Sequence, residues 1–145
     1  MKWIIVASSV IAKIYSVSAH EGHHHLTLIK ALEHPAGLKH NRDLVSDRPG
    51  HYQANHAHGS FEETDAKEVE QDRFAQQITH DLEHARNEHQ FTSFTLVAAP
   101  HFLGLLEKHF KKPLKDCMGH MIEKNIVNLS DHELEQFLHN ELYRL

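Results

Sequence analysis

The chain has 145 residues, a length that fits one domain able to hide roughly 70% of its unfolded surface around a single core. Hydrophobic residues at 40% and charged residues at 24% lie near globular averages, which excludes wholesale disorder and a fibrous architecture. The 15 Lys and Arg against 20 Asp and Glu leave a formal charge of −5, which disfavours tight nonspecific binding of a polyphosphate backbone. The 17 histidines are the compositional outlier, and they add positive charge as acid approaches the imidazole range near pH ~6.5. Cys117 is the one cysteine and cannot form an intramolecular disulfide, which fits a reducing compartment.

Residues 1 to 19 imitate a secretion signal, with Lys2, an apolar run from Trp3 to Ala12, and Ser16-Val17-Ser18-Ala19 resembling a cleavage site. A β-hairpin explains them better. Lys13 interrupts the run, Ser8 and Ser9 split it, and the remainder is rich in β-branched residues. The run is also shorter than the ~20 apolar residues of a membrane span, and nothing later in the chain supplies one. Leu26, Leu28 and Leu32, alternating with Thr27, Ile29 and Ala31, predict a third strand, with His20 to His25 as the connecting turn. From 34 to 61 the text changes to Pro, Gly, Asn, His and paired charges. This is a long loop, beyond the ~12 to 15 residues usual for structureless connections.

Asp65 and Glu68 mark a helix start, after which Phe74, Ile78, Leu82 and Ala85 recur along one face as far as about Glu88. Phe91 to Ala99 is a short apolar run entering a proline, as in a buried parallel strand that follows a crossover helix. Pro100 suits the first turn of a second helix whose stripe is Phe102, Leu103, Leu106 and Phe110, broken by Pro113. Residues 120 to 127 fit a fifth strand, although Met121 and Ile122, with Leu114 and Met118 before them, equally fit a continued helix. Ser130 and Glu133 form a capping box and Leu129 and Leu134 a hydrophobic staple, so a last helix faces Leu134, Phe137, Leu138 and Leu142 inward. The predicted architecture is α/β, a ribonuclease H-like mixed five-stranded sheet in the order β-β-β-α-β-α-β-α, with Trp3 to Ala7 as its central strand. Cleavage after Ala19 would remove that strand and its partner.

A nuclease of that fold needs carboxylates on its first and fourth strands to hold divalent ions, and WIIVAS and FTLVAAP contain none. Glycine-rich phosphate loops are also absent, and the sequence points to no cofactor. Histidines suggest metal at His23, His24 and His25 in the predicted turn, at His51, His56 and His58 in the loop, and at His80 and His84 four apart on a helix. The plain alternative is a solvated polar surface, because the helical pair lacks the intervening Glu of a zinc hydrolase and a third ligand. Cys117, three residues before His120, reads as a small hydrophobe. The segment Arg42-Asp43-Leu44-Val45-Ser46-Asp47-Arg48-Pro49-Gly50 carries alternating charge. Its ions can pair internally, or its guanidiniums can hold a phosphate or carboxylate.

The blocks MKWIIVAS, HNRDLVSDRPG, AKEVEQDRFAQQI, LVAAPHFLGLLEKHF and NLSDHELEQFL together resemble the bacterial host attachment protein family, over nearly the whole of residues 1–145. That family is similar in turn to the middle domain of archaeal and eukaryotic peptide-chain release factors, which implies a ribosome- or RNA-associated role. The Gly-Gly-Gln loop of those factors has no counterpart here, so peptidyl-tRNA hydrolysis does not carry over. The resemblance implies a noncatalytic cytoplasmic factor that binds RNA, ribosome or a protein partner through Arg42, Asp43, Asp47 and Arg48. His101, where the family often has Arg, joins them. The family name implies a rival role in attachment at the cell surface, and the histidines a third one in metal binding.

Overall fold

The computed structural model describes residues 1–34 and 56–143. Five strands form one mixed sheet: β1 (Lys2–Ala7), β2 (Ile11–His20), β3 (His23–Glu33), β4 (Ser93–Ala98) and β5 (Met118–Glu123). The spatial order is β3-β2-β1-β4-β5. β2 runs antiparallel to β1 and β3, and β4 runs parallel to β1 and β5. Among the described residues the helices are α1 (His56–Asn87), α2 (Pro100–His109), α3 (Lys112–Cys117) and α4 (Asp131–Leu138), the last continuing as a π-helical turn over His139–Tyr143.

The apolar amino-terminal run forms the middle of the sheet. Every residue of β1 after Lys2 is buried, and Ile5 lies between Ile14 of β2 and Leu96 of β4. β1 ends at Ala7 because Ser8 closes a tight turn, its Oγ accepting the N–H groups of Val10 and Ile11 at 3.2 Å each. Alternate residues of β1 feed two cores. Trp3, Ile5 and Ala7 meet the larger one with Phe74, Ile78, Leu82, Phe102, Leu106 and Leu114 from the helices. Ile4 and Val6 join Tyr15, Val97, Leu134 and Leu138 in the smaller one under α4. An aromatic chain closes the end of the larger core: Trp3 and Phe91 have ring centroids 4.8 Å apart, and Phe94 lies edge-on to Phe91 and Phe110.

Several predicted boundaries move, each for a local reason. His23, His24 and His25 lie in β3, and the turn is reduced to Glu21 and Gly22, with φ of 52° and 81°. A two-residue turn with both φ positive matches the twist of its strands, so pairing continues to its edge. α1 begins at His56 rather than Asp65, with the predicted stripe Phe74, Ile78, Leu82 and Ala85 buried. α2 stops at His109 instead of running to Pro113. The proline opens the additional helix α3, where its missing N–H costs nothing and Leu114 is fully buried. Among the described residues the element order is therefore β-β-β-α-β-α-α-β-α with a π-turn, α3 being a helix the sequence pattern did not predict. The 120 to 127 segment resolves as strand from Met118 to Glu123, ending before Val127.

The carboxy-terminal cap forms as its sequence requires. Ser130 Oγ accepts the Glu133 N–H at 3.2 Å while Ser130 N–H donates to Glu133 Oε1 at 3.0 Å, and Leu129 packs on the same cluster as Leu134. Among the described residues no helix is long and apolar enough to cross a membrane.

Tyr15 ties this helix to the sheet, its hydroxyl donating to Asp131 Oδ1 at 3.1 Å. Burial, reinforced by the bond to Asp131 and the carboxylate charge, pushes the phenol up to about 12. Because the folded value exceeds the ~10 of an unfolded tyrosine, the stabilisation is complete below pH ~10 and is lost as pH rises towards 12. A phenolate absorbance titration of the folded protein should show a late step near 12, absent from Tyr15→Phe, and the variant's unfolding free energy should fall less steeply over that window.

Candidate functional site

The parallel strands β1, β4 and β5 point their carboxyl ends to one edge of the sheet, where open α/β sheets offer ligands access. β4 ends at Ala98, and Ala99 enters α2 in extended conformation with no side-chain cap. Pro100 lacks an N–H, and the N–H of Leu103 already bonds Ala99. The first-turn N–H groups of His101 and Phe102 are thus left outside the helix ladder. His101, the one predicted contact residue within the described residues, projects from this turn into solvent. Arg42, Asp43, Asp47 and Arg48 lie outside the described residues.

His34 stands at the same edge. Its N–H donates to the Val10 carbonyl at 2.8 Å, and its ring stacks on Phe74 with centroids 5.2 Å apart. It is 9% exposed, and its Nε2 has no hydrogen-bond partner among the described residues. The chain leaves the described region immediately after it, on the way to Arg42.

A second polar feature lies on the outer side of the helical layer. A groove of about 350 Å³ is lined by Gln76, Thr79, His80 and Glu83 of α1 with His109 and Lys111. At its end His109 Nε2 lies 2.8 Å from Asp72 Oδ1, Lys108 Nζ lies 3.6 Å from the same oxygen, and Gln76 donates to Oδ2. The bond from His109 holds the Asp72 carboxyl below the usual carboxylate range, helped by the charges of His109 and Lys108. A histidine oriented by a carboxylate can serve a nucleophile, but Thr79 Oγ1 donates to the Ala75 carbonyl at 2.8 Å. The pair instead joins α1 to the end of α2. Sequence reasoning missed it because 37 residues separate the partners and neither carries a local motif.

The remaining histidine predictions divide. His84 is held by Glu88 at 3.1 Å, while His80 is exposed beside the groove. Among the described residues no three His, Cys, Asp or Glu groups are already gathered as a metal ligand set. Cys117 is partly buried against the larger core, as the small-hydrophobe reading expects.

The fold and its polar edges define an α/β domain with a five-stranded mixed sheet, helices on both faces, and acid-free strands at its centre. The chain belongs to the family described as protein required for attachment to host cells, which matches residues 3–138. No curated protein matches the chain.

Asp72 supplies a second pH dependence. With a folded pKa below the ~3.9 of an unfolded aspartate, its stabilisation is present above about pH 4 and is lost as acid protonates it. Asp72→Asn should lower the neutral-pH unfolding free energy by about 0.5 kcal/mol, the scale of a partly solvated pair. It should also flatten the acid limb of a urea-midpoint profile.

Proposed function

We propose that this chain is a noncatalytic binding factor of the host attachment family, a single domain over 1–145 acting in the cytoplasm on RNA, the ribosome or a protein partner. The observation that carries the reading is chemical. The two central strands read KWIIVA and SFTLVA, with no carboxylate to hold a divalent ion where a nuclease of this topology requires one. The strand order, with β2 alone reversed, supports a ribonuclease H-like sheet, and through it a kinship with the release-factor middle domain. The contact residues in this reading are Arg42, Asp43, Asp47 and Arg48, with His101 at the open first turn of α2. Two guanidiniums and an exposed imidazole suit a phosphate or carboxylate.

The test is co-sedimentation and native pull-down of the full chain beside an Arg42→Ala, Arg48→Ala double variant. Wild-type protein should travel with ribosomes or recover a partner under growth, starvation or stalled translation, and the double variant should lose most of that recovery. Wild-type protein confined to the free fraction throughout, with equal recovery by both forms, removes the reading.

The family description favours a second reading, in which the chain itself acts at the cell surface. Export by cleavage after Ala19 would strip out β1 and most of β2, together with the residues through which both cores pack. Direct action therefore requires another route. Protease treatment of intact cells discriminates the two, with a protected cytosolic pool expected under the first reading and a digested surface pool under the second.

A further inference from the structure

We propose that the tip of the β2–β3 hairpin is a binding site for a divalent transition-metal cation of the zinc class, held by the imidazoles of His20, His23 and His25. The placement follows from strand register. His20 pairs directly with His23 across the two-residue turn, and His25 pairs with Ser18. Paired residues share a face of the sheet, and residues two apart on a strand share it as well. His20, His23 and His25 thus form one triangle, on the same face as Ile14, Ser16 and Ser18 of β2. His24 pairs with Ala19 and belongs to the opposite face, outside the triangle.

The backbone sets separations suited to chelation. Directly opposed Cβ atoms in an antiparallel pair lie about 5 Å apart and diagonal neighbours about 7 to 8 Å. Imidazole rings reaching inward from such corners can meet at an ion with Zn–N bonds of ~2.0 to 2.1 Å. Three imidazoles leave one tetrahedral position for water or for Glu21, whose Oε1 already lies 3.9 Å from His20 Nε2. All three histidines are exposed, His20 with 77% of its side chain accessible. The rings are not gathered as a ligand set in this structure, so an ion would have to draw them together by rotation about χ1 and χ2, which the exposure of all three leaves room for. The two-residue turn, with positive φ at Glu21 and Gly22, already pairs His20 with His23 without an ion, which lowers the backbone ordering that binding costs. Neutral nitrogen ligands favour Zn(II), Ni(II) or Cu(II) over Mg(II) and Ca(II), which take oxygen.

The experiment is calorimetric titration of the untagged full chain, prepared without metal resin and stripped with chelator, using zinc chloride alone. One ion per chain should bind, with magnesium chloride giving no comparable heat. His23→Gln and His25→Gln should each weaken binding at least tenfold, and the triple His20→Gln, His23→Gln, His25→Gln variant should lose the site. A His80→Gln, His84→Gln double variant should bind as wild type. Thermal midpoints of the stripped variants should match wild type, since the tip is solvent-exposed; a parallel histidine NMR titration should show zinc perturbing the tip rings first. Undiminished stoichiometric binding by the triple variant, absence of binding by wild type, or half an ion per chain with dimer formation would each overturn the proposal.

Discussion

β1 is buried on both of its faces, and each hydrophobic core packs against one of them. Ile5 and Leu96 leave no accessible surface, Ile4 and Val6 keep about 1% each, and alternate residues of β1 belong to the two hydrophobic clusters. Such a strand must be apolar at every position, because neither face can be given to solvent. A secretion signal must be apolar for the unrelated reason of entering a membrane. Two physical demands thus write nearly the same text, and they differ only in where polar residues are tolerated. Ser8 sits in a turn that needs its hydroxyl, and Lys13 reaches out of the smaller core to donate to the Val127 carbonyl at 3.0 Å.

From this strand outward the two sides of the sheet are unequal. One face receives α1, α2 and α3, whereas α4 and the segment before it cover the other. β3 is the longest strand and extends past both layers, which leaves Leu28 and Ile29 nearly half exposed at the sheet's edge. That edge is broken up in ways that discourage pairing with another chain. The register skips Ile29 between the Tyr15 and Ile14 pairs, the Leu26 N–H is taken by Glu135 Oε1 at 2.8 Å, and Lys30 bonds Asp81 of α1 at 2.9 Å. Polar chemistry is consequently pushed to the margins: the hairpin tip, the carboxyl edge of the parallel strands, and the groove outside α1 and α2.

Membership in the host attachment family joins a cellular description to a domain whose central strands are buried and apolar. β1 and β4 carry no acidic residue. His34 Nε2, which has no hydrogen-bond partner among the described residues, and the uncapped first turn of α2 at His101 both lie at the carboxyl edge of the parallel strands.

Elements whose signals are local are legible along the chain. The stripe Phe74, Ile78, Leu82 and Ala85 can only be the inner face of a helix, Ser130 and Glu133 only a helix start, and the Trp3 to Ala7 run a strand once Ser8 and Lys13 are weighed. Features that depend on partners distant in the chain emerge from packing alone. His23 to His25 show no hydrophobic alternation, so their strand identity appears only when β2 supplies the opposing hydrogen bonds. α3 is too short to declare itself in six residues and exists because Leu114 finds a place in the core. Asp72 and His109 carry no signal until α1 and α2 are laid side by side. Local propensity and periodicity are written along the chain, whereas pairing across it is a product of packing, and the polar sites of this domain belong to the second kind.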